Sequence, residues 1–184
     1  MKKVLWILGI LLSQSFAEEV AFERSSEDIF LARSSKAPEV MPANNAFYQK
    51  ECASCHFGYQ PGLLPSQSWT YIMQNLRNHY GVDAEVEDED YQALLEYLSA
   101  NASEKAMQYK RSAKITKSLQ QGVLYQSITE IPYHIKKHRK IDKALISQKE
   151  VGSLARCAAC HKKANEGIYS KHSVDIPNYG RWRD

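Results

Sequence analysis

The chain has 184 residues, which favours a single domain, and its formal net charge is +3. Removing Lys2 and Lys3 with an exported N-terminal segment lowers that charge to about +1, so the overall balance indicates no special partner. No motif typical of nucleic-acid binding is present, and nucleic acid is not expected as a partner of an exported chain.

The first seventeen residues have the pattern of a secretory signal peptide. Lys2 and Lys3 precede a short, almost wholly apolar run at residues 4–12, and Ser-Phe-Ala at 15–17 approximates a cleavage site. The run is too short to span a membrane, although an uncleaved N-terminal anchor is the alternative. We therefore predict a signal peptide at residues 1–17 and a single mature domain at residues 18–184.

The first cysteine motif follows a stretch with little regular pattern. Residues 18–45 mix charges, Ser and Pro without clear periodicity, which indicates an extended or loosely packed arm. The motif itself is Cys52-Ala53-Ser54-Cys55-His56. Gly and Pro residues at positions 58, 61, 62 and 65 predict a loop immediately behind it.

A helix is predicted after that loop, capped by Ser66 or Ser68 and ended by Gly81. Spacings of three and four place its apolar side chains and one histidine on the same face: Trp69, Ile72, Met73, Leu76 and His79. Met73 is interpreted as core packing, and His79 is expected to end the apolar stripe.

The next two segments carry opposite charge. A helix is predicted from about Asp88, with a buried face formed by Tyr91, Leu94, Leu95 and Leu98. Residues 83–104 contain eight acids and no Lys or Arg, whereas residues 105–149, which begin with a weaker helical segment, contain eleven bases and two acids. Two interpretations stay open: solvated faces, or charged docking surfaces that steer a redox partner.

The second cysteine motif follows a further predicted helix. Pro132 fits the first turn of this helix, with Ile135, His138, Ile141 and Leu145 on one side. Ser153 can cap a last helix carrying Cys157-Ala158-Ala159-Cys160-His161, and Gly167 can end it. Because no segment alternates strongly with a period of two, the fold is predicted to be mainly α, a small helical domain with long irregular loops.

The two motifs use every cysteine in the chain. Cys-x-x-Cys-His is the attachment signal for c-type haem, and two occurrences are far more specific than one. We predict two covalently attached haem c groups, with proximal iron ligands His56 and His161 and thioether links from Cys52, Cys55, Cys157 and Cys160. A disulfide framework or a Cys₄ zinc site is the alternative, but the histidine after each second cysteine argues against it.

The sixth ligand of each iron decides the chemistry, because a filled position suits electron transfer and an open one binds oxygen, peroxide or carbon monoxide. His79 is the best candidate for the first haem by proximity in the sequence, and His138 for the second, although the pairing can be crossed. His134 and His172 are reserve candidates. His134 and His138 lie one helical turn apart, so at most one is expected to bind iron, and a zinc site formed by the pair lacks an obvious third ligand. Two histidines on each iron predict low reduction potentials, since methionine ligation raises the potential.

Several runs are similar to the dihaem cytochrome c family called DHC. They are residues 51–56, residues 59–65 (Tyr-Gln-Pro-Gly-Leu-Leu-Pro), Ser68-Trp69, His79-Tyr80-Gly81, Ile131-Pro132-Tyr133, residues 137–141, the second cysteine motif and residues 174–177. The resemblance covers roughly residues 43–178. It implies low-spin, bis-histidine haems in a periplasmic electron carrier, whose partners include a membrane b-type cytochrome and a small oxygen-binding haem protein.

Two functions from different classes remain. The first is an electron carrier with no substrate of its own. The alternative is a dihaem enzyme, such as a peroxidase, or a gas-binding cytochrome with one open iron site. The chain resembles a dihaem peroxidase poorly in length and has enough spare histidines to close both sites, so we expect a periplasmic carrier that is not an enzyme.

Overall fold

The computed structural model describes residues 37–182, and the predicted signal peptide lies outside them. Within this range seven α-helices follow one another: α1 Ala46–Glu51, α2 Ser66–Gln74, α3 Asp88–Ala100, α4 Lys110–Thr116, α5 Pro132–His138, α6 Lys143–Ser147 and α7 Cys157–Cys160. Two short antiparallel strands close the described range: β1 Asp175–Ile176 and β2 Gly180–Arg181. The predicted mainly α fold with long irregular connections is confirmed. None of the helices in residues 37–182 has the length and apolar character needed to cross a bilayer.

The core forms where α2 packs against α3. Four side chains that are almost inaccessible to solvent come from these helices: Trp69, Met73, Leu94 and Leu98. The predicted buried face of α3 is confirmed, since Tyr91 and Leu95 also pack against this cluster. The indole N–H of Trp69 donates to the carbonyl of Pro61 at 2.8 Å, which ties the loop behind the first cysteine motif to the core.

Helix α2 ends at Gln74, earlier than the sequence pattern predicted. A 3₁₀ turn, Leu76–Asn78, follows, and His79 lies beyond it in a tight turn. The backbone N–H groups of His79 and Val82 each donate to the other residue's carbonyl, at 2.8 and 3.2 Å. Gly81 has a φ of 92°, a left-handed conformation that glycine adopts without strain. The prediction that His79 continues the apolar face of the helix is therefore wrong, and backbone pairing in the turn positions it instead.

The start of α2 also differs from the prediction. Pro65 is the N-cap residue, and neither Ser66 nor Ser68 caps the helix through its side chain. The backbone N–H and the hydroxyl of Ser66 both donate to the Glu104 carboxylate instead. A long-range polar contact therefore replaces the predicted local cap.

Helix α5 begins at Pro132, as predicted, but it ends at His138. Ile135 is 53% exposed and departs from the predicted face, whereas its other members, His138, Ile141 and Leu145, line one cavity. His134 and His138, one turn apart, are partly buried, and they rather than Ile135 occupy the inner face. The Asp142 carboxylate then caps a separate helix, α6, by accepting from the N–H of Ala144 at 2.8 Å.

The second motif forms a much shorter helix than predicted. Helix α7 contains only Cys157–Cys160, the first four residues of the motif, and Ser153 is not the N-cap of this helix. His161 leaves the helix with φ −90° and ψ 90°, and its backbone forms a bridge with Val174. Gly167, with a φ of 71°, ends a 3₁₀ turn at Ala164–Glu166 instead of ending α7.

The described part of the N-terminal arm, residues 37–45, packs against the rest of the chain through Glu39, Val40 and Ala43, which are buried. Val40 is fully buried, and the backbone N–H groups of Glu39 and Val40 donate to the carbonyl of Gly167 at 2.8 and 3.1 Å. A Cβ atom on Gly167 would lie 2.1 Å from the Val40 carbonyl oxygen, so this contact requires glycine. The carbonyl of Glu39 also accepts from the backbone N–H of Arg111 at 2.8 Å. The interpretation of this arm as loosely packed is wrong for these residues.

Candidate haem sites

The first motif places His56 next to His79. Their imidazole ring centroids are 6.0 Å apart, and the ring planes differ by 21°. Two imidazoles that bind one metal ion from opposite sides have centroids about 6 Å apart, because each metal–nitrogen bond is ~2 Å and each centroid lies ~1 Å further out. The separation of His56 and His79 therefore fits one iron between them.

A hydrogen bond orients the ring of His56, and burial changes the pKa of His79. Nδ1 of His56 lies 2.8 Å from the carbonyl oxygen of Phe57. Such a bond holds the proton on Nδ1 and leaves the Nε2 lone pair for a metal. Burial, and then the charge of His56, lower the pKa of His79, which keeps this imidazole in the neutral form that binds metal.

The second motif forms an equivalent pair from His161 and His138. Their ring centroids are 6.2 Å apart, and the ring planes differ by 78°. Nδ1 of His138 lies 2.8 Å from the carbonyl oxygen of His134, so its Nε2 is again the free nitrogen. The distance between the centroids of His138 and His161 therefore also fits one iron between the two rings.

Burial keeps the second pair of imidazoles neutral. Burial, followed by the charges of His138 and Arg111, lowers the pKa of His161 to about 4, and the Glu39 carboxylate opposes this shift only in part. Burial is also the main cause of the lowered pKa of His138. Nδ1 of His161 is buried and has no hydrogen-bond partner within the described residues. A neutral imidazole in this setting is suited to bind a metal rather than to carry a proton.

A mainly apolar cavity surrounds the second pair. His138, His161, Cys157 and Cys160 all line it. Much of the remaining wall is aliphatic, with contributions from Leu63, Ile115, Ile131, Ile146, Val151 and Ile176. An apolar cavity with a few convergent polar groups is typical of a cofactor site. The combination of two cysteines, two imidazoles with centroids 6.2 Å apart and aliphatic walls fits a covalently attached haem.

The two reserve histidines occupy different environments. His134 lines the same cavity and stacks on His138, with ring centroids 4.0 Å apart. Burial, followed by the charges of His138 and His161, lowers its pKa to about 3, and its Nδ1 has no hydrogen-bond partner within residues 37–182. His172 is exposed in a 3₁₀ turn, Lys171–Ser173. His134 is therefore close enough to the second site to matter for its chemistry, whereas His172 lies at the surface.

The described residues give no support to the zinc or disulfide alternative. No disulfide joins any of the four cysteines, all of which lie within the described residues. No group of three or more His, Cys, Asp or Glu side chains in the described part of the chain is arranged to hold a metal ion.

A tyrosine connects the first site to the second motif. The ring of Tyr59 lies 5.3 Å from that of His56, measured between centroids. Its hydroxyl donates at 2.8 Å to the carbonyl of Ala155, two residues before Cys157. Burial, and next the nearby Cys157, raise the pKa of Tyr59 to about 12, so the hydroxyl keeps its proton as a donor. The two motifs, about a hundred residues apart in the sequence, are thus neighbours in space.

A second link passes through Gln60, which is almost fully buried. Its side-chain amide donates to the carbonyl of Ala164 at 2.6 Å, and its carbonyl oxygen accepts from the hydroxyl of Tyr169. The ring of Tyr169 lies 5.2 Å from that of His161. Sequence reasoning missed the roles of Gln60 and Tyr169, because no local pattern marks partners that lie more than a hundred positions apart.

The fold and the two motifs define a cytochrome c with two haems, and comparison with known proteins identifies the family. The family described as dihaem cytochrome c matches residues 48–169. The chain therefore belongs to the dihaem cytochrome c family, which implies two haem c groups.

Solved structures of the family support the same assignment. A diheme cytochrome type c from Shewanella baltica OS155 is 34% identical with a TM-score of 0.62, and the match covers 76% of this chain and 98% of the other. A diheme cytochrome c from Rhodobacter sphaeroides is 29% identical with a TM-score of 0.61, and the match covers 70% of this chain and 98% of the other. The comparison with curated proteins gave no significant match.

Proposed function

We propose that this protein is a periplasmic electron carrier with two low-spin, bis-histidine haems. His56 and His79 bind the first iron, and His161 and His138 bind the second. The observation that carries the proposal is the presence of two separate histidine pairs with centroids 6.0 and 6.2 Å apart, each containing the histidine of one attachment motif. The haems supply the one-electron chemistry, and the chain supplies their ligands, attachment and surroundings.

The cysteines of each motif hold the haem in place beside its histidine. Cys52 and Cys55 attach the first haem, and Cys157 and Cys160 attach the second. The signal peptide pattern at residues 1–17 supports attachment after export, in the periplasm. Because attachment is covalent, each iron keeps its place when it changes oxidation state.

Contacts between the sites support electron exchange within the molecule. The Tyr59 ring contacts His56, and its hydroxyl binds the backbone two residues before Cys157. This contact keeps the two attachment motifs close together, which supports exchange of an electron between the haems.

The alternative is a dihaem enzyme or a gas-binding cytochrome, which needs one open iron position. The ring centroid of each motif histidine lies 6.0 or 6.2 Å from that of another histidine, a distance suited to ligation. This arrangement supports the carrier over the enzyme.

Potentiometric titration of the exported holoprotein tests the carrier. We expect two one-electron waves, both well below the potential of a methionine-ligated cytochrome c, and no turnover of peroxide. His79→Met is the matched probe, since a methionine ligand raises the potential of the first haem alone. Peroxide turnover, or a wave at a methionine-type potential in the unaltered protein, would contradict the proposal.

The charges near the second site support docking of an acidic redox partner there. Five exposed cations lie on α5, on α6 and in the turn between them, and we call them the basic surface: Lys136, Lys137, Arg139, Lys140 and Lys143. Helix α5 also carries His138, and the exposed side chain of Ile135 provides an apolar contact beside the cations. Complementary charge raises the rate of productive encounter. A membrane b-type cytochrome and a small haem protein are the partners we propose, by their association with the family.

Charge reversal on the basic surface is expected to slow electron transfer to an acidic partner. Lys136→Glu with Lys140→Glu should lower the second-order rate at low ionic strength about tenfold or more, and the difference should shrink as salt is added. The measurement is stopped-flow oxidation of the reduced protein by a strongly acidic redox protein. Lys114→Glu with Lys117→Glu makes the same charge change outside the surface and serves as the control. An equal effect of both pairs would show that net charge, and not this surface, controls the encounter.

A further inference from the structure

A buried ion pair lies beside the second site. Arg111 Nε and Glu39 Oε2 are 3.2 Å apart, and the two side chains are only 15% and 10% exposed. Arg111 also donates to the hydroxyl of Tyr133 and, at 2.8 Å, to the backbone carbonyl of Tyr169. Glu39 accepts from the backbone N–H of Tyr169 at 3.1 Å. Four distant segments of the chain, at residues 39, 111, 133 and 169, therefore meet here and fix both charges in one position.

Both charges are permanent and close to the second iron site. Arg111 lines the cavity that contains His138 and His161, and its guanidinium stays charged at any physiological pH. Burial raises the pKa of Glu39, but the charges and hydrogen bonds of Arg111 and Lys110 outweigh it and hold that pKa below its ordinary value. Lys110 is 63% exposed, so solvent screens its charge far more than that of Arg111.

We propose that the Glu39–Arg111 pair sets the reduction potential of the second haem. Reduction adds one electron and lowers the charge on the iron centre by one. A buried positive charge nearby favours the reduced state, and a buried negative charge favours the oxidised state. Arg111 therefore raises the potential and Glu39 offsets that rise. This inference rests on the proposed binding of the second haem between His138 and His161, and both residues act through the field on that haem.

Opposite substitutions test the inference. Glu39→Gln keeps an acceptor oxygen but leaves Arg111 uncompensated, so the reduced-to-oxidised ratio of the second haem at a fixed potential should rise about tenfold, which is ~59 mV for a one-electron couple. Arg111→Gln should shift the ratio in the opposite direction. If the substitutions only loosened the site and admitted water, the reduction potential of the second haem would shift in the same direction in both variants. Spectroelectrochemistry of the holoprotein measures both waves, and the wave that His79→Met moves belongs to the first haem.

Two controls separate charge from structure. Arg111→Lys retains the charge and should keep the potential near that of the unaltered protein, even where its hydrogen bonds change. Glu166→Gln removes an acid from the exposed Lys163–Glu166 pair and should leave both waves in place.

Shifts of the same sign in Glu39→Gln and Arg111→Gln, or no shift in either, would overturn the inference. If Glu39→Gln does not fold, equal potentials in Arg111→Gln and Arg111→Lys would overturn it as well. In all of these cases two low-spin haems in the unaltered protein would leave the proposed carrier function standing. A high-spin second haem there would overturn the proposed ligation itself.

Discussion

Replacing His79 with Ala is expected to convert the first haem from low-spin to high-spin and to leave the second haem low-spin. The imidazole of His79 lies 6.0 Å from that of His56, measured between centroids, and alanine provides no ligand in its place. The open position then binds carbon monoxide. Optical and electron paramagnetic resonance spectra should show one haem of each spin state, and the reduced variant should take up one carbon monoxide per chain.

His172→Ala is the matched control, since His172 is exposed at the surface and should leave both haems low-spin. A spectrum of His79→Ala that stays fully low-spin would reject His79 as a ligand. The same test at the second site needs a double variant. His134 stacks on His138 at 4.0 Å in the same cavity and could replace it, so the second haem is tested with His134→Ala combined with His138→Ala.

The second large effect is expected from Gly167→Ala. The left-handed backbone at this position costs an alanine ~1–2 kcal/mol, and its Cβ would also lie 2.1 Å from the Val40 carbonyl oxygen. Because the arm must move to relieve that contact, we expect the free energy of unfolding to fall by about 3 kcal/mol or more in total. For a chain of this size the loss corresponds to a fall in melting temperature of about 6–12 °C. Thermal and denaturant unfolding of the holoprotein measure it.

Gly122→Ala separates the two causes of that loss. Gly122 has a similar φ of 75°, but no atom lies within 4 Å of where its Cβ would be. Gly122→Ala should therefore lower the free energy of unfolding by only ~1–2 kcal/mol, which is the cost of the left-handed backbone conformation. Equal losses in the two variants would show that residues 37–45 do not pack against Gly167 as described.

Sequence patterns predicted the features that depend on residues close together in the chain. The buried face of α3 follows from the spacing of Leu94 and Leu98, and the start of α5 follows from the fixed φ of Pro132. The family was recognisable because its two attachment motifs and the loop after the first are short, contiguous runs. In each case the residues that form the pattern lie within one short stretch of the chain.

The errors arose where tertiary contacts determine the local structure. Helix α2 stops at Gln74 and His79 pairs with Val82, so a backbone turn overrides the helical spacing of the side chains. Helix α7 is too short to be stable alone, and contacts beyond the motif must hold it. No periodicity could have predicted the Glu39–Arg111 pair, because its members are separated by 72 positions. The assignment of His79 and His138 as distal ligands stays a prediction. Their ring centroids lie 6.0 and 6.2 Å from those of His56 and His161, which is compatible with it.

One measurement tests most directly whether both irons have two histidine ligands. It is the optical spectrum of the dithionite-reduced, export-matured protein before and after addition of carbon monoxide. We expect sharp c-type bands from two low-spin haems that the gas does not move. A shift of the bands would show an open or labile iron, and would favour an enzyme or gas-binding protein over the carrier.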